Sequence, residues 1–200
     1  MDDRPSDDPI TDAILSTSQY ERLRYAEGII TVPVSRALTY QAVLLALLAS
    51  ILPLYSLYPP TIGAHVGTLD PFLAAPKILF LGLVGWAIEV ASALALAALY
   101  WYRVGHEPLE EGTARAIVNL EQIAIGLSLV TGGLAIVATV GLIGVGVFGV
   151  SVFSTYLSAV AGENVFAQGG GISVGHLSIL AIFGGLVVLG IRAVLDRDTG

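Results

Sequence analysis

The chain has 200 residues, of which 55% are hydrophobic and only 12% charged, and its mean hydropathy is +0.81. That composition selects the membrane class over the soluble globular one. A formal net charge of −7 excludes a nucleic-acid partner, which needs basic surface, and the absence of cysteine excludes disulfides, thiolate nucleophiles, iron–sulfur clusters and thiolate metal sites.

Residues 1–35 are polar and acidic, with Asp2, Asp3, Asp7, Asp8 and Asp12 crowding the start. No apolar run follows Met1 closely enough to predict a signal peptide. Asp8-Pro9 is a helix opening, Asp as N-cap and Pro at the first helical position, and Gly28 is a stop. A helix over about 9–27 is therefore expected. Its apolar face (Ile10, Ile14, Leu23) is thin. It reads as a solvated cytoplasmic segment more readily than as a membrane-surface helix, since acidic residues gain nothing from anionic lipid.

The first span is expected over 36–58, capped by Ser35, with Tyr55 and Tyr58 at the far interface and a kink at Pro53. A proline-rich loop, 59–77, follows. The second span, 78–102, ends in Tyr100, Trp101, Tyr102 and Arg103, an aromatic belt with a charged anchor. It is long enough to cross a hydrocarbon core of about 30 Å. The next loop, 103–115, is short and charged, and Pro108 with Glu110 and Glu111 opens the third helix.

The stretch 116–162 is too long for one span and allows two readings: one span over 116–141 with an outer interfacial segment over 142–171, or two spans meeting at Gly141–Gly144. Basic residues arbitrate. Four spans with the N-terminus inside leave eight arginines on the cytoplasmic side and Lys77 alone outside, whereas five spans give six against three. Four spans follow, the last over 172–191, before a tail at 196–200. The expected fold is an all-α polytopic membrane protein, an antiparallel four-helix bundle spanning 36–195, set in the cell membrane with both termini cytoplasmic. Phe148, Phe153 and Tyr156 suit the outer interface. Eight arginines against one lysine, with abundant glycine, resemble the composition of halophilic proteins.

Small residues mark helix contacts in lipid. Gly82, Gly85, Glu89, Ser92 and Ala93 share one face of the second span. Glu121, Ile125, Ser128, Gly132, Ala135 and Thr139 recur at four-three spacing on the third, and Gly175, Ser178, Ile182 and Gly185 at three-four spacing on the fourth. Gly82, Gly85, Gly132 and Gly185 are the expected packing positions.

Glu89 is the sharpest signal, a carboxylate near mid-span with no Lys, Arg or His at its depth. A charge there costs a few kcal/mol even on lenient insertion scales, about 2.5–3.5. It must be neutral and hydrogen-bonded, or face water. Glu89, Ser92, Ser128 and Glu121 form the candidate intramembrane polar site, and Asn119 and Gln122 would extend it towards the cytoplasm. A structural hydrogen bond between helices weighs against a proton or cation relay.

His65, His106 and His176 carry no metal-ligand spacing, although His65 and His176 should share the outer side with Asp70 and Glu163. The glycine runs 141–149 and 169–171 lack a phosphate-loop context. No catalytic constellation, metal site or cofactor motif emerges. The expected function is that of a non-enzymatic accessory or scaffold subunit, with the lipid bilayer, other membrane subunits or a second copy as partners. The alternative is a small transporter or channel subunit using Glu89 as its proton or cation site.

Overall fold

The structure, a computed structural model, describes residues 19–28, 30, 32–106, 108–159 and 164–198. The expected helix start at Asp8-Pro9 and the residue Glu163 lie outside them. Four apolar helices are long enough to cross a membrane: α2 (Val34–Ser56), α3 (Leu79–Gly105), α4 (Glu111–Phe148) and α6 (Val174–Asp198). They form an all-α antiparallel bundle. Helix α1 (Gln19–Glu27) packs on the start of α4, and α5 (Val150–Ala159) follows α4.

Two readings of 116–162 were open, and the chain takes the one with a single crossing. Helix α4 continues for 38 residues. It stops where Gly149 adopts φ 91°, a left-handed turn that only glycine enters without strain. Helix α5 then has ten residues, too few to span.

Each boundary has a local cause. Pro33 precedes α2, and Ser35 gives no side-chain cap: its carbonyl instead accepts from Thr39 Oγ1. The α2 rod is interrupted at Ser50, just ahead of Pro53, whose missing N–H leaves the Ala49 carbonyl without its helical donor. Glu110, in extended backbone, precedes α4, with Glu111 in the first turn paired to Arg115 at 3.2 Å. Ser173 caps α6, its hydroxyl accepting from the His176 N–H at 3.3 Å.

Outward faces are apolar. Leu94, Val130, Leu134, Phe183 and Leu186 are exposed, as lipid-facing positions of a bundle are, while Leu38, Leu45, Leu96, Ile136 and Val188 are fully buried between helices. The fourth helix departs from the expected stripe. Ile182 is exposed, and the buried line runs through Leu177, Ser178, Ala181, Gly184 and Val188. The buried line keeps four-three spacing but runs about one residue earlier, because Gly184, not Gly185, is the position that lies against Trp86.

The two ends of the bundle differ. At the loop end, residues 75–78 and 165–170 bond as a short antiparallel pair: Lys77 N–H to the Ala167 carbonyl at 2.9 Å and Ile78 N–H to Val165 at 3.0 Å. The Gln168 side chain joins both loops, accepting from Ala75 N–H and donating to the Val66 carbonyl. Tyr58, between α2 and the loop, donates to the Ile143 carbonyl at 2.6 Å, lying against Gly146 where any Cβ would collide with its ring. Phe153, on α5 at this end, is fully buried against Phe166, while Phe148 faces out. The other end holds α1 and every described arginine, whereas Lys77 sits at the loop end.

Candidate functional site

The residues picked out on α3 and α4 meet. Gly82, Gly85, Glu89, Ser92 and Ala93 are all buried, as are Glu121, Ile125, Ser128, Gly132, Ala135 and Thr139. A Cβ on Gly85 would lie 2.9 Å from Ile136 and 3.1 Å from the Gly132 carbonyl; one on Gly82 would lie 2.9 Å from Thr139. Gly132 is tighter still, since its Cβ would stand 2.6 Å from Glu89 Oε1. The absence of side chains at these positions is what lets α3 and α4 approach. Gly185 is looser, its would-be Cβ 3.7 Å from Leu45, and neighbouring Gly184 is the crowded position, against Trp86 at 2.7 Å. Trp86 in turn donates to the Leu180 carbonyl at 2.9 Å.

Glu89 is fully buried. Ser128 Oγ donates to its Oε2 at 2.5 Å, and Gln41 Nε2 of α2 donates to Ser128 Oγ at 3.0 Å. Three helices thus meet in one relay, with α2 supplying the amide, α4 the hydroxyl and α3 the acceptor. Gln41 was not singled out from sequence. A polar side chain alone in an apolar run was its available signal, and nothing local says which neighbour it meets 87 residues away. Ser92 shares the face of Glu89 but stands outside this triad.

Ser128 and Gly132 both lie in a π-helical segment, Leu127–Gly132, in the middle of α4. Such wide turns occur in helices as single-turn bulges. Here the bulge presents a hydroxyl and a bare Cα to the same carboxylate. The cluster of Gly126, Ser128, Thr131, Gly132 and Gly133 is the sequence trace of it.

Among the described residues two acceptors of the relay have no partner: Glu89 Oε1 and Gln41 Oε1 are both buried without a hydrogen bond. A proton, a cation or a water would each find acceptors there.

Glu121 is the second buried carboxylate, in a different setting. Tyr20 Oη of α1 donates to its Oε2 at 2.6 Å, and Arg24 Nη1 donates to Tyr20 Oη at 3.0 Å. The Arg103 guanidinium lies 4.3 Å over the Tyr20 ring. Tyr20 is itself 2% exposed, packed on Ala114, Ile117 and Val118. Burial first, and the Glu121 carboxylate second, push its phenol above the ordinary tyrosine range, so it stays a donor at neutral pH. Between Glu121 and Ser128 the seam is filled by buried Ala124 and Ile125. Seven residues of rise, about 10 Å, separate the two sites along α4, and buried Ser92, one turn beyond Glu89 on α3, stands at the level between them. Asn119 faces outward and Gln122 is half-buried, so neither extends a path to Glu89.

Among the described residues no group of three or more His, Asp or Glu could hold a metal ion. His65 packs edge-on to Phe153, and His176 belongs to the cap of α6. Neither the family models, nor the curated proteins, nor the solved structures contain a match to this chain.

Proposed function

We propose that this is an integral membrane subunit that works by helix packing, an accessory or scaffold component with both termini on the cytoplasmic side. The single observation supporting it is the sealed state of Glu89. Its carboxylate has no solvent exposure, its Oε2 is held by Ser128, and its Oε1 lies against the bare Cα of Gly132. A conducting site needs a wet approach from at least one side. On α4, buried Ala124 and Ile125 stand between Glu89 and the arginine end, which supports a dry site. The gathering of every described arginine at one end supports the orientation.

The unpartnered oxygens of Glu89 and Gln41 favour the second reading, a transporter or channel subunit carrying a proton or cation at Glu89. One pair of measurements separates the two. The full chain is reconstituted in vesicles as wild type and as Glu89→Gln, and proton and sodium flux are recorded beside thermal stability in detergent. The packing reading expects no flux above empty vesicles for either. It also expects stability changed by less than about 1 kcal/mol, because the amide oxygen still accepts from Ser128. Wild-type flux that Glu89→Gln abolishes while the fold persists would establish the transport reading instead. In parallel, tagged full chain extracted from its own membranes in mild detergent should elute with a partner, or a second copy, in fixed ratio. Elution as a lone monomer counts against a scaffold.

A further inference from the structure

The cleft between α1 and the arginine end of the bundle is not used by the packing reading. It has a volume of about 240 Å³ and is lined by Tyr20, Glu21, Arg24, Tyr25, Pro33 and Arg103. A smaller cleft of about 160 Å³ adjoins it through the shared Tyr20, Arg24 and Arg103 and reaches Glu121. We infer that this cleft binds a phosphate group, held between the guanidinium groups of Arg24 and Arg103.

The local charges support an anion. The Glu121 carboxylate at the inner end of the smaller cleft is 4% exposed and already accepts from Tyr20. Asp196 pairs with Arg192 at 3.4 Å. Glu21 sits on the exposed rim. Arg24 and Arg103, which also offset the charge of the buried Glu121, are the cations that line both clefts. Arg24 is fixed in place, Nη1 on Tyr20 and Nη2 on the Val32 carbonyl. Arg103 is held over two aromatic rings, Tyr20 at 4.3 Å and Tyr100 at 5.2 Å, and makes no ion pair among the described residues. Its Nε is buried and has no hydrogen-bond partner among the described residues. A half-buried guanidinium oriented by aromatic faces has a planar fork that matches phosphate oxygens.

Depth argues for the same ligand. Arg103 follows Trp101 and Tyr102, which are both about half exposed at the end of α3 and form an aromatic belt at the level where lipid headgroups lie. Basic pockets at the ends of membrane helices take anionic headgroups. The phosphate can therefore come from an anionic phospholipid or from a free phosphate in the aqueous phase.

The test uses purified full-length chain in neutral detergent, titrated with phosphatidylglycerol, phosphatidylcholine or inorganic phosphate and read by native mass spectrometry. Phosphatidylglycerol should form a one-to-one adduct with phosphatidylcholine at least about tenfold weaker, because the zwitterionic headgroup cancels the charge-assisted contact. Arg103→Gln and Arg24→Gln should each weaken the adduct about tenfold or more, Arg103→Lys less, and Arg115→Gln, away from the cleft, should leave it unchanged. Should Arg103→Gln fail to fold, Arg103→Lys and Arg24→Gln carry the comparison. Inorganic phosphate that displaces the lipid with the same arginine dependence assigns the site to a free phosphate. Lipid binding untouched by phosphate assigns it to a headgroup. No adduct with either probe, or adducts indifferent to both arginines, overturns the inference.

Discussion

Glu89 and Glu121 are both buried carboxylates facing the same packed seam, and they are accommodated in opposite ways. Glu89 sits among helices with one hydroxyl donor and no cation, its second oxygen unpartnered. Glu121 sits at the bundle end beside a tyrosine donor, with two arginines ranged around that tyrosine. Position decides the difference. Arginine can reach the end of a membrane helix by extending to the headgroup level, but a cation at mid-depth would add a second desolvation penalty of the same size as the first. The mid-depth acid is therefore held by close packing and a neutral relay, and the terminal acid by charge. Substitutions at the first should act through steric fit, and at the second through electrostatics and docking of α1.

The sharpest way to break this contrast is Gly132→Leu. Its first added carbon already lies 2.6 Å from Glu89 Oε1 and 3.1 Å from Ile88. The branch must push α3 away, at the upper end of the overpacking range, about 3 kcal/mol. Val130→Leu, on the lipid face at 61% exposure, should be nearly silent. Equal melting temperatures for the two in detergent would remove steric fit as the basis of the Glu89 site.

Ser128→Ala comes next. Among the described residues it strips the donor from Glu89 Oε2 and the acceptor from Gln41 Nε2, a loss of about 2 kcal/mol. Because the alanine leaves Gln41 idle, adding Gln41→Leu should cost little further. A double-mutant cycle giving strict additivity would show that the three-helix relay does not act as a unit.

The smallest effect is expected at Glu121. Tyr20→Phe removes the hydroxyl that bridges Arg24 and the carboxylate, about 1.5 kcal/mol felt in the docking of α1 rather than in the bundle. The same contact sets a pH dependence. The phenol is raised in the folded state, so its contribution is complete below the unfolded tyrosine value, about 10, and declines as pH rises beyond it. The chain has no cysteine, so a nitroxide on Glu21→Cys reports α1 alone. Its mobility should stay low from pH 6 to about pH 9, rise in stronger alkali, and be already raised in Tyr20→Phe at neutral pH. A label equally mobile in both proteins at pH 7 would show that the hydroxyl does not dock α1.

Much of the bundle is legible in the sequence because membrane rules are local. Run length gives the four crossings, the arginine bias decides between four and five, and small residues at helical spacing mark the α3 and α4 faces that meet. The seam on α6 is misread at Ile182 because the stripe was extended by period alone, while Gly184 and Trp86 set the real line of contact. Gln41 and Tyr20 escape for a different reason. Their partners lie 87 and 101 residues away, and no local pattern encodes which helix a polar side chain will face. The π segment is likewise invisible to a reading based on 3.6-residue periodicity, although its glycine and hydroxyl cluster is in plain view.

The length of α4 acts as a ruler. Its 38 residues extend to about 57 Å, nearly twice a hydrocarbon core of about 30 Å. If the Ser128–Gly132 bulge marks the bilayer centre, the hydrocarbon ends about ten residues to either side along an untilted helix. Glu121 then falls at the dielectric boundary itself, and the turns that carry Tyr20's docking surface stand beyond it. A thinner bilayer would bring Glu121 and its arginines into the aqueous headgroup layer and leave Glu89 where it is. Membrane thickness is thus a variable to which one end of this molecule responds and its centre does not.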